Sequence, residues 1–198
     1  MCTLEKRGNL FILTLTGATS KNDEHLLNPA TMSSICSVLA EAKSRAVHGS
    51  ALITLRGIVA DLMAFPMPTI AAGVIMSHDY IIMTSSNGVM YMSELDLGPT
   101  FPDYVPALIR GKVGSGSAWR DLVVGATKVR VEVAVAMGIV DSAYDTAEEV
   151  VAAAVHMAEK LAKRGWSGKV YGEIRKALYP EVCGLLGLTD NIILPSNL

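Results

Sequence analysis

Glu94 is the side chain of this sequence best placed to do chemistry. Residues 88–104 read Gly-Val-Met-Tyr-Met-Ser-Glu-Leu-Asp-Leu-Gly-Pro-Thr-Phe-Pro-Asp-Tyr. Asn87-Gly88 is a turn dipeptide that launches the short apolar run 89–92, and Glu94 follows where that extended run ends. Leu95, Leu97, Phe101 and Tyr104 are expected to crowd around it, with Gly98, Pro99 and Pro102 bending the chain. A carboxylate among apolar side chains has its charged form disfavoured, so its pKa is expected to rise toward neutrality. A general base working near pH 7 needs that. Composition alone favours the plainer alternative of a solvated loop acid, like its neighbours Asp96 and Asp103.

Other reactive residue types form no comparable constellation. Cys2, Cys36 and Cys183 make no Cys-x-x-Cys pair and leave one odd, which points to reduced thiols rather than a disulfide framework. His25, His48, His78 and His156 are scattered without metal-ligand spacing, so no metal site is expected. His78-Asp79 suggests a dyad, but adjacent side chains on an extended segment point to opposite faces. The glycine-rich run 111–117 lacks the endings of a P-loop or a dinucleotide fold and reads as a turn and helix cap before residue 118. No cofactor is expected. Lys160, Lys163, Arg164, Lys169, Arg175 and Lys176 make one end locally basic, which reads first as a solvated face.

The elements that must position Glu94 follow from periodicity and caps. A chain of 198 residues, 51% of them hydrophobic, fits a single domain, residues 1–198, with a substantial core. Its net charge of −2 gives no electrostatic reason to bind nucleic acid. No apolar run has the length of a membrane span, and the apolar patch near residue 10 is too short for the h-region of a signal peptide, so no secretory routing is expected. Residues 10–16 read as a buried strand and 51–55 as a second. Asn28-Pro29 starts a helix whose face carries Met32, Ile35, Cys36, Leu39 and Ala42. A short helix is expected over 58–65, and another over 103–113 with Pro106 inside its first turn. Residues 129–135 alternate like a strand, although Ala134, Ala136 and Met137 support a helix. Thr146-Ala-Glu-Glu149 is a capping box opening a long helix to about residue 163. Two further helices are expected, over 166–178 and 181–188.

Tyr-Met-Ser-Glu-Leu-Asp-Leu-Gly (91–98), followed by Pro-Asp-Tyr (102–104), resembles the active-site segment of the crotonase (enoyl-CoA hydratase/isomerase) superfamily. Within it, the segment is similar to that of the plant peroxisomal Δ3,Δ2-enoyl-CoA isomerases. The spacing Gly98-x-x-x-Pro102 follows the isomerase pattern, and the resemblance extends over nearly the whole chain. It implies an α/β fold, a crotonase-like (ClpP/crotonase) β-β-α spiral over 1–145 with a C-terminal helical region over 146–198. It also marks strands over 65–72 and 80–83, and a helix over the 129–135 stretch followed by the Gly-Ile-Val-Asp turn at 138–141.

The resemblance implies isomerisation of a 3-enoyl-CoA to the 2-enoyl-CoA in fatty acid β-oxidation, with Glu94 carrying the proton and Leu95, Leu97 and Phe101 lining the acyl pocket. Two family segments are expected to be missing here, those whose backbone N–H groups form the oxyanion hole. Gly57 and Gly73 are the nearest candidates to replace them. A catalytically silent crotonase-like subunit is therefore the second reading, and an enoyl-CoA hydratase the third. An acyl-CoA substrate, a trimer-based homo-oligomer and a peroxisomal import receptor are the implied partners. The last three residues, Ser196, Asn197 and Leu198, approximate the Ser-Lys-Leu peroxisomal address.

Overall fold

The computed structural model describes residues 2–15, 29–47, 50–54, 69–72, 76–86, 88–92, 94–98 and 100–188. The chain opens with a hairpin that the strand reading above did not include. β1 (Cys2–Arg7) and β2 (Leu10–Leu15) pair antiparallel around Gly8, whose φ of 57° lies in the left-handed region. A Gly-Asn pair between two strand-like runs is a hairpin signal. β2 then pairs in parallel with β3 (Ala51–Thr54), and the sheet continues through β4 (Thr69–Ala72), β5 (Tyr80–Thr84) and β8 (Ser142–Tyr144), in the order β1-β2-β3-β4-β5-β8. All pairings from β2 to β8 are parallel, so Thr54, Ala72, Thr84 and Tyr144 end their strands at one edge.

Both faces of this sheet are covered, as parallel sheets require. In β2, Phe11 and Leu13 pack against Ile35, Leu39 and Ala42 of α1 (Pro29–Ser44). Leu10 and Ile12 alternate to the other face and join Val150, Ala154 and Ala158 of α6 (Ala147–Ala162). β5 alternates likewise: Ile82 packs with α6, whereas Ile81 and Met83 enter the main core with Met90, Leu108, Leu122 and Val131. Cys36, expected on the apolar face of α1, is exposed instead. The capping box forms as the sequence predicts, Thr146 Oγ1 accepting from Glu149 N and Glu149 Oε2 from Thr146 N.

Between β5 and α6 the chain builds the smaller elements. They are β6 (Val89–Met90), α2 (Glu94–Leu97), α3 (Tyr104–Lys112) and α4 (Gly116–Trp119), the last running into a π-helical turn over Arg120–Val124. Ser115 caps α4 by accepting from Ala118 N, so the glycine-rich run is a cap. The alternating stretch splits: β7 (Val129–Arg130) pairs with β6, and α5 (Val131–Ala136) follows at once. Pairing stops because β6 offers only two residues. The chain closes with α7 (Gly168–Leu178) and α8 (Pro180–Leu185). No helix among the described residues is long and apolar enough to cross a membrane. The expected helix over 58–65 lies outside the described residues.

The two connections between the central parallel strands differ in length. β3 and β4 are joined by residues 55–68, and β4 and β5 by residues 73–79. A crossover between parallel neighbours ordinarily takes a dozen residues or more. The second connection has seven.

Candidate active site

Glu94 is carried to its place by a chain of backbone constraints. Ser85 N donates to Tyr144 O at 2.7 Å, and Ser85 Oγ donates to Asp145 Oδ1 at 2.7 Å, tying the exit of β5 to the end of β8. Nothing in the local sequence pattern marks Ser85 or Asp145. At Gly88 an added Cβ would lie 2.0 Å from Thr84 O and 3.0 Å from Val131 Cβ, so the turn has room for glycine alone. Val131 N then donates to Gly88 O at 3.0 Å, and β6 pairs with β7. Met90 is buried and Met92 packs against the same core, which orients the segment for the turn of helix beginning at Glu94. That turn closes where Gly98 N donates to Glu94 O at 2.7 Å, with Gly98 at a φ of 93°.

The three carboxylates of this segment meet different surroundings. Asp96 is exposed and accepts the Tyr91 hydroxyl, whose ring lies 5.0 Å beneath Lys128 Nζ. Asp103 is exposed at the N-cap of α3 and makes no side-chain capping bond. Glu94 is half-buried, and its Oε2 is fully buried with no hydrogen-bond partner among the described residues. Buried polar atoms are nearly always partnered, and a catalytic role is one reason for an orphan; Ser77 Oγ is the other such atom among the described residues.

The remaining candidates are placed as follows. Leu95 is 63% exposed and does not crowd Glu94, because consecutive residues of a helix point about 100° apart. Phe101 is half-buried. Leu97 lies in α2, but its side chain is outside the described set. Gly57, Gly73, Ser196, Asn197 and Leu198 also lie outside the described residues. The strands that lead toward Gly57 and Gly73 end at the same sheet edge from which the Glu94 segment departs. In open parallel sheets, ligands bind outside that carboxyl edge. Among the described residues no group of His, Cys, Asp and Glu could hold a metal ion.

His78 and Asp79 are placed differently from the extended segment expected. They lie in a bend before β5, not on an extended segment, and His78 is 1% exposed. Asp79 is held by Arg175, Nε to Oδ1 at 2.9 Å and Nη2 to Oδ2, and by the Tyr171 hydroxyl at 3.0 Å. Arg175 therefore departs from the solvated basic face expected of it: its side chain is 3% exposed and Asp79's is 13%. Burial, then the Asp79 charge, pushes the Tyr171 hydroxyl far above the usual phenol range.

A scan against protein-family models gives no match. Three curated plant proteins do match. Enoyl-CoA delta isomerase 2, peroxisomal, of Arabidopsis thaliana is 44% identical over 238 residues, covering 97% of this chain and 98% of its own length. Enoyl-CoA delta isomerase 3 of the same plant is 43% identical over the whole of both chains. The chain belongs to the enoyl-CoA delta isomerase family. Enoyl-CoA delta isomerase 1, peroxisomal, also of Arabidopsis thaliana, is 42% identical over 92% of the chain. Solved structures place the fold of this family member among crotonase-type proteins. An enoyl-CoA isomerase of Mycobacterium tuberculosis superposes with a TM-score of 0.78 at 16% identity, over 94% of each chain. An enoyl-CoA hydratase of Mycobacterium ulcerans gives 0.76 at 14% identity, again over 94% of each. The architecture is thus the crotonase-type α/β fold with C-terminal helices that the Glu94 segment implied.

Proposed function

We propose that the chain isomerises a 3-enoyl-CoA to the trans-2-enoyl-CoA, with Glu94 as its single acid–base residue. The observation that carries this reading is the buried, unpartnered Oε2 of Glu94 in a chain of this family. Glu94 takes a proton from C2, the freed electron pair forms the C2–C3 double bond, and the C3–C4 π pair accepts the proton back at C4. One group shuttles the proton, so no second acid is required. Asp96, engaged by Tyr91, does not compete for the role.

Removing a proton beside a thioester places negative charge on its oxygen, and backbone donors must hold that charge. Losing one such donor costs roughly 10²–10³ in rate. In the sequence Gly73 follows β4 directly and Gly57 comes three residues after β3, the two strands whose carboxyl ends share one sheet edge. The chain has 198 residues against an alignment of 238, and its β4–β5 connection is seven residues long. These lengths favour a second reading: a member of the family with shortened oxyanion segments and much reduced turnover, serving as a non-catalytic subunit. Assaying the purified chain on a 3-enoyl-CoA, beside a version with both family segments inserted, decides between them. Equal turnover supports the active isomerase; turnover only after insertion supports the silent subunit.

The partners follow from the same reading. α7 buries Gly172 and Arg175 while Ile174 and Leu178 stand 64% and 65% exposed, an outward apolar stripe suited to a second copy of the chain in a trimer-based oligomer. Two of the relatives are named peroxisomal, and Ser196-Asn-Leu198 serves as the address read by the import receptor. A fluorescent fusion bearing these last residues should enter peroxisomes, and a cytosolic signal beside an imported Ser-Lys-Leu control would remove that assignment.

A further inference from the structure

Glu94 stands on a single turn of helix, α2 (Glu94–Leu97). A lone turn fixes several residues for one hydrogen bond and is unstable by itself. Core packing does little for its described side chains: Leu95 and Asp96 are exposed, and the core residues Met90 and Met92 lie before the turn. Gly98 N donates to Glu94 O at 2.7 Å, but that bond closes the turn on itself and does not fix its angle to the rest of the protein.

A side-chain bond supplies that angle. The Tyr91 hydroxyl donates to Asp96 Oδ2, joining the residue that follows β6 to the exposed face of the turn, with Glu94 between the two. The half-buried Tyr91 ring is itself held. Its neighbour Met90 pairs with Val129 in the β6–β7 ladder, and Lys128, just before Val129, sets its ammonium 5.0 Å from the ring centroid. A cation over an aromatic face at that distance is attracted by the ring quadrupole. We propose that Tyr91 and Asp96 are positioning residues for Glu94, their hydrogen bond strapping the Glu94 turn to the β6–β7 ladder. One carboxylate that must reach C2 and then C4 needs a fixed stem, and the strap supplies it from the solvent side, where burial does not. The proposal rests on the role given above to Glu94. Misplacing reacting groups by about 1 Å can cost on the order of 10²-fold in rate.

The test uses the full chain and three single variants. Tyr91→Phe removes the hydroxyl and keeps the ring beneath Lys128, Asp96→Ala removes the acceptor, and Asp96→Asn keeps a carbonyl oxygen able to accept the same bond. Turnover on a 3-enoyl-CoA, thermal midpoint and amide hydrogen exchange by NMR are measured together. Tyr91→Phe and Asp96→Ala should each lose about tenfold in kcat with KM held within roughly twofold, while Asp96→Asn retains most of the turnover. The double variant Tyr91→Phe/Asp96→Ala should fall no further than either single one, because each removes the same bond. Exchange at the Gly98 amide should quicken in Tyr91→Phe and Asp96→Ala while amides of α6 stay protected and the midpoint barely moves. Unchanged Gly98 exchange overturns the strap, and quicker exchange with unchanged kcat overturns its catalytic consequence. Losses that multiply in the double variant overturn the proposal, as does an Asp96→Asn loss equal to that of Asp96→Ala, which would assign the effect to charge. A fall in kcat that tracks only the fraction folded also overturns it. A wild-type chain without turnover refutes the isomerase reading and the catalytic half of this one, while Gly98 exchange still decides the strap separately.

Discussion

Replacing Arg175 with methionine removes one partner of a buried ion pair and strands the other. The Arg175 side chain is 3% exposed and that of Asp79 13%, so water cannot take over the lost contacts. Asp79 loses both guanidinium bonds, from Nε and Nη2, and keeps the Tyr171 hydroxyl. Leaving one charge of a buried pair uncompensated costs about 3–5 kcal/mol. The surviving hydroxyl and the nearby Lys112 cation place this case toward about 3 kcal/mol. For a chain of this length that is roughly 6–12 °C in thermal midpoint. Urea unfolding followed by circular dichroism, at one fixed protein concentration, gives the loss directly as a lower midpoint at unchanged slope. The double variant Asp79→Leu/Arg175→Met should recover most of it, because apolar replacement of a whole buried pair is often neutral or better. A loss below about 1 kcal/mol in the single variant, the range of an exposed pair, would refute the reasoning. So would a double variant whose loss equals the sum of the two single losses.

Three further outcomes are expected. Glu94→Gln keeps shape and hydrogen bonding but cannot take the proton, so any turnover on a 3-enoyl-CoA should fall about 10²–10⁴-fold, whereas Asp96→Asn should leave most of it; the reverse pattern would reassign the base. Gly88→Ala forces a Cβ to within 2.0 Å of Thr84 O, and the backbone shift this demands should destabilise the chain by about 1–3 kcal/mol in urea unfolding. Tyr171 holds its proton to higher pH when folded than when unfolded, so as pH rises past about 10 the unfolded chain alone loses that proton and stability drops. Tyr171→Phe should therefore show a flatter loss of stability on the alkaline side, and identical slopes for the two proteins would contradict the burial of that hydroxyl.

Several features needed only neighbouring residues and were therefore written in the sequence. Thr146 and Glu149 bond each other across one turn, Ser115 caps the helix it precedes, and β2 alternates Leu10, Phe11, Ile12 and Leu13 between two faces. The Gly8-Asn9 pair was an equally local hairpin signal, and β1 could have been read from it. The family, too, was legible, because Tyr91 to Gly98 carries its motif as a contiguous string.

What the sequence left open depended on partners distant along the chain. Alternation at 129–135 suits a strand, but the two-residue length of β6 lets only Val129 and Arg130 pair, and the helix takes the rest. Three acids in one segment look alike as letters. Only the fold leaves Glu94 Oε2 buried and unpartnered among the described residues while it gives Asp96 to Tyr91 and leaves Asp103 exposed. Arg175 read as one of several solvated cations, and nothing nearby in the sequence could say otherwise. Its carboxylate lies 96 residues away, and a charge is buried only where the tertiary structure brings its counter-charge to it.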